Sequence, residues 1–144
     1  MAGIKRDKRD KIFSMLVRER ATWRCERCGK HHPPPTNALH CAHFYTRRAR
    51  GTRWDPDGAA ALCYGCHQHL DSHPEEKKNF VLFLLGEDKY DQLTRRYNKP
   101  HKLTKIQMEE LYQHLKSEHE RLQALREEGK VGWLNFCRYE VEDG

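Results

Sequence analysis

No stretch of this sequence is long and apolar enough to cross a bilayer. The longest apolar run, Phe80 to Leu85, reads as a buried helix segment, so a transmembrane helix is excluded and no membrane partner is expected. The charged start, Met1 to Asp10, has no apolar h-region behind it. That reads as the absence of a signal peptide and predicts a cytoplasmic, reducing setting. Disulfides rarely persist there. Internal repeats and low-complexity tracts are also missing. Apolar residues are scarce at 37% and charged ones abundant at 33%, so a single modest core is expected, to which a metal staple would be useful.

What is present starts with cysteine. Without disulfides, six cysteines need another use. Four fall into two Cys-x-x-Cys pairs, Cys25-Glu-Arg-Cys28 and Cys63-Tyr-Gly-Cys66, leaving Cys41 and Cys137 over. Two intervening residues let both sulfurs of a pair reach one tetrahedral ion from a single turn. Four thiolates close the coordination sphere and leave no position for substrate, so the expected ion is a structural Zn2+. The net charge of +6 and a pI near 9.1 favour an anionic partner, of which nucleic acid is the commonest.

The chain between and around these pairs divides by pattern. Arg6 to Trp23 carries Ile12, Phe13, Leu16 and Val17 at helical spacing and predicts a basic amphipathic helix within residues 1–24. Gly29 suits the tight turn of a zinc knuckle, and three consecutive prolines after His32 predict an extended loop. Ala38 to Tyr45 reads as a strand, and Thr46 to Arg53 as a basic loop. Ala59 to Leu62 reads as a second strand or the approach to the second knuckle, followed by a short helix from Cys66 that ends before Pro74. These make a core over residues 25–75. A helical extension over 76–144 follows: Glu75 to Leu85 ended by Gly86, then Asp88 to Tyr97, then a helix from a Thr104/Gln107 capping box to about Glu128, stopped by Gly129. Ile106, Leu111, Leu115, Leu122 and Leu125 are its expected buried stripe. The tail from Trp133 carries no assignable role.

The sequence has ten histidines, and five of them cluster with the cysteine pairs: His40 and His43 on the first strand, His67, His69 and His73 after the second knuckle. A shared zinc puts Cys66 beside Cys28 and so brings the helix starting at His67 close to the strand of His43. One imidazole can then act as a base while another holds a metal ion.

At these residues the sequence resembles a family. Cys25-Glu-Arg-Cys28-Gly29, Leu39-His40-Cys41-Ala42-His43-Phe44, Arg53-Trp54-Asp55-Pro56-Asp57 and Leu62-Cys63-Tyr64-Gly65-Cys66-His67 are similar to the HNH endonucleases of ββα-metal fold. Within that group the chain is most similar to phage proteins of the NinG (Rap) recombination type, over about Asp10 to Leu93. The resemblance implies an α+β fold, a small zinc-stapled ββα-metal core with flanking α-helices. It implies metal-dependent hydrolysis of DNA, leaving a 5′ phosphate and a 3′ hydroxyl. His43 takes the position of the general base, and His67 that of a ligand for a catalytic divalent ion such as Mg2+, Mn2+ or Ni2+. Arg47, Arg48, Arg50 and Arg53 follow, where cations would hold the DNA backbone. The chain departs from the pattern twice. Ala42 stands where many members carry an acidic metal ligand, with His40 the candidate substitute. Gly58 stands at the position of the family Asn, which helps to hold the catalytic His. Two expectations follow: that the chain is a slow or inactive nuclease whose cleavage Gly58→Asn raises, or that Asp57 already orients the base. The rival readings are a non-catalytic nucleic-acid-binding module and a helical protein-interaction module on a zinc scaffold.

Overall fold

The computed structural model describes residues 5–99 and 102–141. The first four and last three residues of the chain lie outside them, as do Pro100 and His101. The fold is α+β: α1 (Lys8–Arg20), β1 (Leu39–His43), α2 (Arg50–Arg53), a 3-10 turn (Pro56–Gly58), β2 (Ala59–Cys63), α3 (Tyr64–Asp71), α4 (Pro74–Asn98) and α5 (Lys105–Glu127). The two strands form an antiparallel sheet in which Leu39 faces Cys63, Cys41 faces Ala61 and His43 faces Ala59. One end of the sheet therefore carries a knuckle cysteine and the other carries His43.

Helix α1 begins with a reciprocal cap. The Asp7 carboxylate accepts from the Arg9 and Asp10 amides, and the Asp10 carboxylate accepts from the Asp7 amide. Phe13, Leu16 and Val17 on one face are fully buried. The helix ends before the expected Trp23, because Thr22 and Trp23 adopt positive φ angles of 56° and 61° and turn the chain into the first knuckle. Arg20 is buried at that end and donates to the carbonyls of Pro56 and Ala59, both at 2.7 Å, so α1 is fixed to the entry of β2.

Asp10, although charged, faces inward. Arg53 grips it with two hydrogen bonds, Nε to Oδ1 at 3.0 Å and Nη2 to Oδ2 at 2.6 Å, and Trp54 Nε1 adds a third at 3.1 Å. Asp10 and Arg53 are 4% and 6% exposed, which makes this a buried pair whose halves cannot be left alone. Burial works to push the Asp10 carboxyl up, but the Arg53 hydrogen bonds and charge outweigh it, and the group sits below its ordinary value. Its contribution is therefore complete above the ordinary carboxylate range, near 3.9, and is lost as pH falls through the lowered folded value. Asp10→Ala strands the guanidinium in the core. It is expected to cost about 3–5 kcal/mol in denaturant unfolding at neutral pH. A loss under about 1 kcal/mol would show that the pair does not hold α1 to α2.

The two helical segments expected on either side of Gly86 meet at that residue within α4, where φ is 79°. Helix α5 starts with the Thr104/Gln107 capping box and stops at Gly129, whose φ is 94°. Leu111, Leu115 and Leu122 are buried as expected, but Ile106 is 72% exposed. Ile106 lies five positions before Leu111, which turns it about 140° away from the stripe. The stripe instead contains Glu118, which accepts two hydrogen bonds from Arg121 and one from the amide of Cys137. The Arg121 hydrogen bonds are the main reason that its carboxyl lies at about 2, against an opposing push from burial. The Cys137 bond ties down the tail. Phe136 is buried edge-on against Phe13, 5.7 Å between centroids, and Arg20 lies 4.6 Å from the Trp133 ring. The three expected segments, 1–24, 25–75 and 76–144, thus share one core running from Phe13 and Leu16 through Leu39, Leu62 and Leu70 to Leu111, Leu122 and Phe136.

Candidate metal centre and histidine cleft

The first cysteine pair is a tight turn docked onto the sheet. The Cys25 amide donates to the Lys30 carbonyl and the Gly29 amide to the Cys25 carbonyl, with Gly29 at φ 80°. Glu26 fastens this turn to β2: its amide donates to the Ala61 carbonyl at 2.8 Å, and its carboxylate accepts from the Ala61 amide at 2.6 Å. The second pair sits at a strand-to-helix corner. Cys63 ends β2, and Cys66 lies in the first turn of α3. The sulfurs of Cys25, Cys28, Cys63 and Cys66 all lie within 4.8 Å of one another, with Cys28 and Cys63 at 3.9 Å.

Four sulfurs at this spacing form a set suited to tetrahedral zinc. Burial alone would raise the Cys25 thiol, but backbone N–H groups pointed at its sulfur bring it down to about 7. Burial pushes Cys66 up to about 12, even though Arg27 donates to its sulfur at 3.4 Å. Four neighbouring thiolates repel one another, and a dication is the natural counter-charge for the set. Cys41 and Cys137 stand apart from the cluster.

Between α1, β1 and α3 lies a cleft of about 690 Å³, lined by His40, His43, His67 and Asp71 and bordered by Arg6, Arg18, Arg47 and Lys77. His43 Nε2 lies 2.9 Å from the carbonyl oxygen of Arg53. A carbonyl only accepts, so Nε2 carries the proton, and the neutral ring keeps its lone pair on Nδ1. The Phe13 ring packs 5.6 Å from the imidazole. Burial lowers the His43 pKa from its ordinary value, outweighing the Arg53 carbonyl, which raises it. That shift favours the neutral ring.

Across the cleft, His67 Nδ1 is 3.0 Å from His40 Nδ1, and His67 Nε2 is 3.4 Å from Asp71 Oδ2. Two donor atoms about 3 Å apart match ligands at right angles on one cation with bonds of about 2.1 Å. Burial also lowers the His67 pKa, more than Asp71 raises it, which keeps a lone pair available for an ion.

Two expected sites are corrected. Arg53, expected on a DNA-facing loop, is buried against Asp10. Its contribution to the cleft is its backbone carbonyl, which holds His43. Arg48 and Arg50 are exposed, and Arg47 lines the cleft. None of the three atoms nearest to a Cβ at Gly58 belongs to His43. The Gly58 amide donates to the Asp55 carbonyl, and the Gly58 carbonyl accepts from the Phe44 amide. A Cβ built there would lie 2.7 Å from the Thr52 carbonyl oxygen. Asp57 does not orient the base either: its carboxylate lies 3.6 Å from Arg96, which also binds Asp55 at 2.5 Å. Gly58→Asn, expected from the sequence to speed cleavage, is instead expected to destabilise the fold by about 1–3 kcal/mol through overpacking. Thermal unfolding of that variant checks the sign.

Sequence reasoning missed Asp71 and the Arg53 carbonyl. Asp71 had a signal, since it follows His67 by four residues and so shares its helix face. Comparisons with protein-family models, curated proteins and solved structures found no match. Among the described residues, no helix is long and apolar enough to cross a membrane.

Proposed function

We propose that the chain is a metal-dependent DNA endonuclease of the HNH type, built on a strand–strand–helix unit with a structural zinc at Cys25, Cys28, Cys63 and Cys66. The observation that carries this reading is His43, an imidazole fixed through Nε2 to a backbone carbonyl and lining the same basic-rimmed cleft as the His40–His67 pair. His43 Nδ1 takes a proton from the attacking water. His67, with His40 beside it, would hold a divalent ion, which when bound would supply a Lewis acid. Arg47 at the cleft, with the exposed Arg48 and Arg50 near it in sequence, holds the DNA backbone, so binding falls as salt rises. The resemblance to recombination-type phage proteins makes branched DNA the first substrate to try.

The zinc-loaded chain incubated with supercoiled plasmid and with a four-way junction, in Mg2+, Mn2+ or Ni2+, should produce nicks that chelator suppresses. Gly58 in place of the motif Asn favours one rival, a nucleic-acid-binding module without catalysis. That rival predicts retained, salt-sensitive DNA binding with no cleavage in any of the ions. A chain that neither cuts nor binds DNA would leave the helical protein-interaction reading.

A further inference from the structure

A second cluster of ligand-type side chains lies outside both the cysteine set and the cleft. His69 sits in the last turn of α3, His73 immediately precedes α4, and Glu76 lies in the first turn of α4. One ligand atom from each falls within 4.8 Å of the others. The imidazoles of His69 and His73 stack at 4.1 Å with 18° between their planes, and His69 Nε2 is 2.5 Å from Glu76 Oε2. His73 Nδ1 is 2.7 Å from the His69 carbonyl oxygen. The carbonyl can only accept, so Nδ1 carries the proton and Nε2 keeps its lone pair. Metal-binding imidazoles are commonly prepared in this way, one nitrogen donating to a backbone carbonyl while the other faces the ion.

We infer that His69, His73 and Glu76 form a second metal site, for a divalent ion of the Zn2+, Co2+ or Ni2+ class. Two imidazoles and a carboxylate are a donor set that these ions take in preference to Mg2+ or Ca2+. Three protein ligands leave one tetrahedral position for water. His69 and Glu76 side chains are 36% and 53% exposed, so an ion reaches them directly from solvent. Arg27 is the opposing charge, 4.0 Å from Glu76 and also donating to Cys66, so it sets the affinity below that of the cysteine site. The ligands lie on either side of the corner between α3 and α4. A bound ion therefore clips α4 to the helix that carries Cys66 and His67.

The test uses the untagged, zinc-loaded full chain carrying His40→Ala and His67→Ala, which removes the cleft as a competing site. Co2+ titrated into this variant should bind one equivalent and give visible d–d bands without the near-ultraviolet sulfur-to-cobalt band of a thiolate site. It should also raise the melting temperature. Adding His73→Ala or Glu76→Gln should weaken Co2+ binding by at least about tenfold and remove the thermal shift. These side chains are exposed, so circular dichroism should show both variants folded. No Co2+ equivalent in the starting variant, or one that survives His73→Ala and Glu76→Gln, would overturn the site. The readouts are metal binding and stability, so failure here is separate from failure to cut DNA.

Discussion

Cys63→Ser is expected to leave the chain without a stable core. Cys63 closes β2 and Cys66 opens α3, so losing one sulfur frees the corner that joins the sheet to the helix of His67. The elements around this corner have little to fall back on. β2 contributes three small buried alanines, Ala59, Ala60 and Ala61, beside Leu62, and among the described residues the sheet has only two strands. Structural zinc in small domains is worth roughly 10–16 kcal/mol of apparent binding free energy at pH 7. A domain's whole stability is about 5–15 kcal/mol, so the metal term alone can decide whether this chain folds. The parent should carry about one zinc per chain, in an all-sulfur shell by X-ray absorption. Cys63→Ser should lose it together with cooperative unfolding, or aggregate, and a strong chelator should do the same to the parent. Cys137→Ser, at an exposed cysteine outside the cluster, is the control and should unfold like the parent. A folded parent without zinc, or a Cys63→Ser variant within about 1 kcal/mol of it, would sink the zinc assignment.

Local chemistry made part of this arrangement legible beforehand. The Thr104/Gln107 cap, the Gly129 stop and the break at Gly86 each follow from the conformational demands of a single residue or a three-residue spacing. The convergence of the two cysteine pairs follows from ligand count, and with it the approach of β1 to α3. The misses share a different cause. Asp10 on a highly charged helix reads as a solvent-facing residue, and its partner Arg53 lies in a loop that reads as a DNA-binding surface. Their pairing spans 43 residues and leaves no periodic trace. Glu118 hides in the same way, one acid among many on α5, buried because the tail returns across it. The group that holds His43 is harder still to foresee. It is a backbone carbonyl, which every residue has, so no side-chain pattern could mark Arg53 for that role. Expecting a side chain there, from Gly58 or Asp57, followed from looking only for groups that sequence can show.

His43→Ala is expected to reduce DNA cleavage by about 10²–10⁴-fold, or roughly 2.7–5.5 kcal/mol in barrier, while DNA binding stays close to that of the parent. The imidazole touches the Arg53 carbonyl and the Phe13 ring but carries none of the buried ion pairs. Its removal should therefore lower stability modestly and leave the fold in place. The pH profile separates a base from a merely structural ring. Burial lowers the His43 pKa, and a base works in its neutral form, so the parent rate should rise with pH through a midpoint below about 6.5 and then level off. The residual rate of His43→Ala should lack that acid limb. His67→Ala should also abolish cleavage, but by weakening the ion, so higher Mn2+ or Ni2+ should restore part of its rate and none of the rate of His43→Ala. The Arg53 carbonyl fixes which nitrogen is available, and this adds a sharper demand. Asp10→Ala takes the carboxylate partner from the buried Arg53 side chain and so loosens the residue whose carbonyl orients the ring. A folded fraction of that variant should cut more slowly at saturating metal, since a misplacement of about an ångström can cost on the order of 10²-fold. Full activity in His43→Ala would remove His43 as the base. An unchanged rate in folded Asp10→Ala would remove only the claim that this ion pair positions it.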